Sequence, residues 1–310
     1  MSVIESTFDI NEFLTNAVKE GASDVHLRIG EVPVVRIDGK IVKKDLPLVT
    51  EKDISRVLNI VLPKYLRTKV QSAFDLDFSY EIKGVSRFRI NLGRQLGNTS
   101  LVFRIIPYEI PTFKELKLPP SLEAFSKFHN GIVLVTGPTG CGKSTTIASL
   151  IDLINTREQK HIITIEDPIE YIYSNKKCII TQRQVEIDTT SFPDGVKYAL
   201  RQDPDVILIG EIRDIETMTS ALKASETGHL VIASLHTNDA IQTVNRIVNM
   251  YDIKDRDNIR KQLAETLRGC VAQKLIQKKD GHGRIPACEI MVVTPTIKDF
   301  IIRDELEQVY

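Results

Sequence analysis

The stretch GPTGCGKST, residues 137–145, places Gly137, Gly140 and Gly142 ahead of Lys143, Ser144 and Thr145. With Pro138, Thr139 and Cys141 between the glycines, it fits the spacing G-x-x-x-x-G-K-[ST]. An apolar run, GIVLV, precedes it, and TTIASLIDLI follows with helical spacing. In a strand–loop–helix setting, glycines let the backbone curl so that successive N–H groups converge on one anion. The helix N-terminus adds a favourable dipole. Lys143 then reaches the terminal phosphates of ATP, and the Ser144 hydroxyl is a ligand for Mg²⁺. A glycine-rich turn with an incidental lysine would not need the flanking strand and helix.

Hydrolysis also needs a group that activates water. DVILIGEIRD, residues 205–214, is a strand of the kind that often ends in a metal-holding Asp with a Glu beside it. Here Gly210 stands in place of that Asp, and Glu211 alone remains. The pattern predicts a strand neighbouring the loop's own strand, with Glu211 facing the phosphates and holding Mg²⁺ through water. Water activation then falls to another strand end, HIITIEDPIEY, residues 161–171. Glu166, Asp167 and Glu170 crowd there and repel one another unless metal or water offsets the charge. Glu170 is the favoured general base, with Glu166 second; the plain alternative is a solvated acidic turn. In SETGHLVIASLHTNDA, His229 opens a strand and His236 closes it. The far end of that strand is expected near the γ-phosphate, where an imidazole could sense its presence. His229 is counted with the catalytic set.

These groups need a scaffold. A chain of 310 residues suggests two domains. The first hundred residues predict a helix over 10–20 capped by Asp9, then a strand in SDVHLRIG. Two short strands follow around Asp38-Gly39, then a helix over 51–71 and strands over 74–82, 85–93 and 98–106. An antiparallel sheet flanked by helices fits that order. Four prolines in PYEIPTFKELKLPP, residues 107–120, mark the boundary. Beyond it, strands over 131–136, 161–166, 205–209 and 229–235 alternate with helices over 143–156, 194–202, 214–226 and 239–250. That alternation predicts a mostly parallel sheet with helices on both faces. Residues 255–303 read as helical with a short strand pair, and as covering one end of the sheet.

Lys and Arg balance Asp and Glu at 41 each, which argues against a nucleic-acid partner, whose affinity rests on phosphate neutralisation. The four cysteines lie far apart, against a zinc module or disulfide framework. No stretch approaches the length of a transmembrane segment, and the N-terminus lacks the pattern of a secretory signal, so a cytoplasmic location is expected.

In order and spacing, GPTGCGKS, IEDPIEY, DPDVILIGEIRD and ETGHLVIASLHTND resemble four boxes of the type II/type IV secretion ATPases. There they are the Walker A, Asp box, atypical Walker B (Gly for Asp) and His box. GASDVHLRIGEVPVVRIDGK resembles the start of that family's N-terminal domain, so the likeness spans nearly the whole chain. Within the family the chain is most similar to the pilus-retraction (twitching motility) branch. Assembly and secretion members carry a long N-terminal extension and a tetracysteine zinc module, and this sequence has neither. TPTIKDFIIRD stands where retraction ATPases carry a motif close to T-P-A-I-R-N-L-I-R-E; Lys298, Asp299 and Phe300 depart from it.

The resemblance implies a PAS-like α+β domain over 1–106, a linker over 107–120, and a RecA-like P-loop ATPase domain over 121–310. It implies a homohexamer at the cytoplasmic side of an inner-membrane pilus platform protein, peripheral to the membrane. It also implies N-terminal-domain arginines closing over the nucleotide. Among Arg87, Arg89, Arg94 and Arg104, the pattern selects Arg89 and Arg104. The function so implied is ATP hydrolysis driving pilus retraction. Pilus assembly, type II secretion and DNA uptake are its alternatives within the family. Outside it stand a nucleic-acid motor and a non-enzymatic nucleotide-controlled binding protein.

Overall fold

Apolar residues alternate along Ala22–Arg28 (β1), Ser86–Gln95 (β5) and Asn98–Ile106 (β6), so each strand buries one face. The computed structural model describes residues 8–70, 72–106, 109–279 and 283–309. The chain divides into two units, residues 1–109 and 110–310. In the first, Val34–Ile37 (β2), Lys40–Lys43 (β3) and Leu76–Ile82 (β4) complete a sheet in the order β3-β2-β1-β6-β5-β4. Every pairing in it is antiparallel. Asp38 and Gly39 take positive φ, as the tight β2–β3 turn requires. Helices Ile10–Lys19 (α1) and Glu51–Val61 (α2) lay Ile10, Leu14, Ile54 and Val57 onto Val25, Leu27, Phe88 and Phe103. Asp9 caps α1 by accepting from the N–H groups of Asn11 and Glu12. The helix expected to reach residue 71 stops at Val61. Pro63 forces Leu62 out of helical geometry, and only a 3₁₀ turn at Lys64–Leu66 follows. Gln71 lies outside the described residues.

In the second unit, a seven-stranded sheet has the order β13-β12-β7-β11-β10-β8-β9. Its strands are Gly131–Thr136 (β7), His161–Glu166 (β8), Ile179–Gln184 (β9), Val206–Ile209 (β10), Leu230–Leu235 (β11), Leu267–Gln277 (β12) and Arg284–Val292 (β13). All neighbours are parallel except the β12–β13 pair. Lys143–Arg157 (α4) packs against β7 and β11. Phe192–Ala199 (α5), Ile215–Glu226 (α6), Ala240–Asn249 (α7) and Arg256–Thr266 (α8) bury Val196, Met218, Val244 and Leu263 in one core with Ile163, Ile165, Ile207 and Val231. Phe113–Leu116 (α3) and a 3₁₀ run at Pro120–Lys127 also pack on α4, so residues of the proline-rich segment from Ile110 onward belong to this unit. Pro107 and Tyr108 lie outside the described residues.

Three expectations change. The strand expected beside the loop's own strand, β10, is one place further out, because β11 lies between them. The C-terminal strand pair is not short. Its strands are 11 and 9 residues long, and β12 extends the sheet beyond β7. β9 was not anticipated, since TQRQ carries no apolar run; it is an edge strand with mostly half-buried side chains. Among the described residues, no helix is long and apolar enough to cross a membrane.

Gly269 of β12 sits against Phe125 of the 3₁₀ run, whose ring carbons would lie 2.5 Å from a Cβ at that position. Gly269→Ala is expected to destabilise the protein by about 1–3 kcal/mol through overpacking, measured by urea denaturation.

Candidate active site

Parallel strands β7, β11, β10 and β8 end along one edge, which collects whatever the loops there carry. β7 passes through Thr136 into the loop 137–142 and on to α4. α4 begins at Gly142 with no side-chain cap, whereas Asp9, Thr50, Ser191, Asp214 and Asp239 cap their helices. The first N–H groups of α4 are thus left for an anion. Gly137 takes φ +145°, and a Cβ there would lie 2.3 Å from the Gln273 carbonyl oxygen and 2.6 Å from Cys141 Sγ. Gly140 and Gly142 also take positive φ. Lys143 is buried, and its Nζ donates to the carbonyls of Gly137 (2.8 Å) and Pro138 (3.1 Å). Burial lowers its pKa, opposed by the nearby Cys141, Glu211 and Glu170. Ser144 is exposed in the first turn, with Thr145 half-buried beside it. Pro138 and Thr139 are exposed at the tip, and the Cys141 thiol is buried beneath it.

Gln273 of β12 props this loop. Its Nε2 donates to the Cys141 carbonyl at 2.6 Å, and its Oε1 accepts from the Thr146 hydroxyl at 2.8 Å. Only the wholly buried amide in the apolar strand GCVAQKLI could have signalled it, since buried polar groups need partners.

The carboxylates divide by environment. Glu211 follows β10 and is held by an ion pair with Arg213 and by His236 Nε2 at 3.4 Å. Gly210 lies close to neighbouring backbone. A Cβ there would approach the Ile165 carbonyl oxygen at 3.3 Å and the Glu166 Cα at 3.4 Å. Glu166 ends β8 and is buried. Its Oε1 accepts from the Thr164 hydroxyl (2.6 Å) and Gln182 Nε2 (3.2 Å), and the Glu170 N–H also bonds to it. Burial pushes its pKa up to about 7, with the Glu170 charge adding to the rise. Glu170 is only half-buried, and its charge acts on Lys143 as that of Glu211 does. The loop therefore gathers Lys143, Glu170 and Glu211, while Glu166 sits inside the fold behind them.

His229 is not brought to this edge. It precedes β11, level with the start of β7, and its Nδ1 lies 2.9 Å from the Ala224 carbonyl and 3.1 Å from the Thr227 hydroxyl. Six strand residues separate it from the loop's end of the sheet, about 20 Å. The expectation that His229 belongs with the catalytic groups is corrected on that ground within this unit; the histidine at the loop's edge is His236. Thr237 follows it and is tied to β7, its N–H donating to Thr136 Oγ1 at 2.9 Å.

In the first unit, Arg89 and Arg104 stand directly opposite each other on β5 and β6. Arg104 Nε lies 3.2 Å from Asp24, and Arg89 Nε lies 3.9 Å from Asp77. Like charges facing across a sheet are unfavourable, and the two aspartates offset this.

A pocket of about 200 Å³ adjoins the start of α4. It is lined by Gly142, Thr145, Leu275, Ile285 and Pro286, with Lys117 among its charged walls. Its apolar walls next to a phosphate cradle suit a nucleoside. Among the described residues, no cluster of three His, Cys, Asp or Glu side chains is disposed to hold a metal ion.

A parallel sheet whose edge carries a glycine loop, an uncapped helix start and converging carboxylates defines a P-loop nucleotide-binding domain. The chain belongs to the Type II/IV secretion system protein family, which it matches over residues 3–296. It is 42% identical over 302 residues to the "Type IV pilus retractation ATPase PilT" of Pseudomonas aeruginosa, covering 97% of this chain and 88% of that one. To the "Twitching motility protein" of Neisseria gonorrhoeae it is 39% identical over 277 residues, 89% of this chain and 74% of that one. It superposes on a crystal structure of the pilus retraction motor PilT with bound ADP at a TM-score of 0.92. That match has 46% identity and covers 98% of this chain and 88% of the other.

Gly137→Ala is expected to weaken binding of a fluorescent ATP analogue by about tenfold or more, because the strained φ and the Gln273 carbonyl leave a methyl no room. A second expectation concerns pH. The Glu166 pKa is raised, so its contribution to stability is complete below its ordinary value of 4.5 and is lost as pH rises through about 7. Between pH 5 and pH 8 the wild type should lose about 2–3 kcal/mol that Glu166→Gln does not, measured by denaturation at the two pH values.

Proposed function

We propose that this chain is an ATP-hydrolysing motor that powers type IV pilus retraction, working as a homohexamer at the cytoplasmic face of an inner-membrane pilus platform protein. The observation that carries the hydrolytic part is the sheet edge itself: buried Lys143 opens α4 after β7, and Glu170 and Glu211 follow β8 and β10, which run parallel to it. The retraction part is supported by the likeness to the retraction ATPase of Pseudomonas aeruginosa over nearly the whole length of both chains.

Each group takes a role that its surroundings favour. The nucleoside lodges in the pocket beside α4, and its phosphates lie on the loop N–H groups. The Lys143 ammonium, now on the Gly137 and Pro138 carbonyls, exchanges them for phosphate oxygens. Ser144 and Glu211 would hold Mg²⁺, which would offset negative charge on the phosphates. Glu170 takes the proton of the attacking water. Glu166 is the weaker candidate for that role, because its carboxyl is buried and already committed to Thr164 and Gln182. His236 orients Glu211 through their contact. Arg89 and Arg104 supply positive charge toward the nucleotide, so that closure of the first unit depends on which nucleotide is bound. Six such closures around a ring would deliver work to a shared axis.

Glu170→Gln is expected to lower kcat for ATP by about a hundredfold or more with little change in nucleotide affinity, read in a phosphate-release assay. Deleting the gene should leave surface pili present but unable to shorten. Loss of pili would instead point to an assembly motor. Full ATPase activity in an isolated monomer would overturn the reading that the protein works as a homohexamer.

A further inference from the structure

We infer that Gln182, with Tyr171, is a positioning residue for hydrolysis: it clamps the irregular segment that carries Glu170, and so sets that carboxylate against the phosphate loop. The inference rests on the assignment of Glu170 as the base.

Residues 167–178 join β8 to β9 with no helix or strand of their own. A general base must stay within hydrogen-bond reach of its water, so an irregular carrier segment needs to be held from outside. The polar edge strand β9 does this. Gln182 Oε1 accepts the Tyr173 N–H at 3.0 Å, while Gln182 Nε2 donates to the Tyr171 carbonyl at 2.8 Å and to Glu166 Oε1 at 3.2 Å. Two residues along the same strand, Gln184 Oε1 accepts the Ile169 N–H at 3.3 Å. The backbone is therefore gripped on both sides of Glu170, and the Glu170 N–H itself bonds to Glu166. The far side of the grip reaches the nucleotide helix, since the Tyr171 hydroxyl lies 3.0 Å from Thr145 Oγ1.

Residue type matters here. A primary amide offers a donor and an acceptor at once, so one side chain can satisfy both a backbone N–H and a backbone C=O of a segment that has no ladder. Glutamate could only accept, and leucine could do neither. Tyr171 and Tyr173 are themselves buried, which fixes the segment from within as Gln182 fixes it from the sheet. The carboxyl of Glu166 completes the clamp as acceptor from Thr164 and Gln182. The chain of contacts thus runs from Thr145 beside the phosphates, through Tyr171, to Gln182 and Glu166.

The plain alternative is that these bonds only complete the fold. The two are separated by asking whether Gln182 acts through Glu170. Gln182→Leu should lower kcat by about tenfold or more while KM and the affinity for a non-hydrolysable ATP analogue stay within about twofold. In the Glu170→Gln background the same substitution should cause no further loss of the residual rate, because the group it positions is already gone. Tyr171→Phe removes only one hydroxyl, leaves the core packing in place, and should show the same pattern at about threefold or more. It decides the matter if Gln182→Leu does not fold. Unchanged kcat in both variants, or losses that multiply in full with Glu170→Gln, would overturn the clamp while leaving the base assignment intact. Full activity of Glu170→Gln alone would refute the base assignment and the clamp together.

Discussion

A desolvated ammonium is the constraint around which the second unit is arranged. Lys143 is pulled out of water by the loop that carries it, and a buried cation is tolerated only where carbonyls or anions face it. The loop carbonyls meet that need at close range, and Glu170 and Glu211 meet it from further off. The carboxylates follow different strands, so their approach depends on β8 and β10 ending at the same edge as β7. The sheet order, the glycine at 210 and the buried Gln273 all serve to bring these ends close. Gly210 lies close to the same backbone: a Cβ there would come within 3.3 Å of the Ile165 carbonyl oxygen and 3.4 Å of the Glu166 Cα.

Much of this is legible in the sequence. Strands 131–136 and 161–166 were readable to the residue, because both are runs of β-branched apolar side chains buried on both faces, bounded by glycine or acid. The phosphate loop was legible because its chemistry demands glycines at fixed spacing. Strand order was not. β11 enters between β7 and β10 through helical crossovers, and nothing local in DVILIG or LVIASL records which strand it will meet. The two histidines illustrate the cost. Both bracket one strand, and only the direction of that strand relative to β7 decides that His236 reaches Glu211 while His229 faces the opposite edge.

The parts that stayed hidden are polar side chains that act on backbone. Gln182, Gln184 and Gln273 form no motif, and the polar half of the strand that holds the first two carries no apolar signal. Their role emerges only when irregular backbone is found next to them, since an amide's value lies in what it satisfies. The N-terminal arginines fall between these cases. Their place on β5 and β6 could be read from alternation, but their direct opposition across the sheet required the register.

Cys141 gives the protein a reporter of its own. Burial raises the pKa of three further thiols, with Cys270 pushed up to about 12, Cys288 to about 11, and Cys178 also raised. The sulfur of Cys141 is sealed beneath the phosphate loop, 4% exposed, and a reagent reaches it only when that loop lifts. The rate at which an alkylating agent labels Cys141 therefore counts the openings of the cradle itself, site by site and without an engineered label.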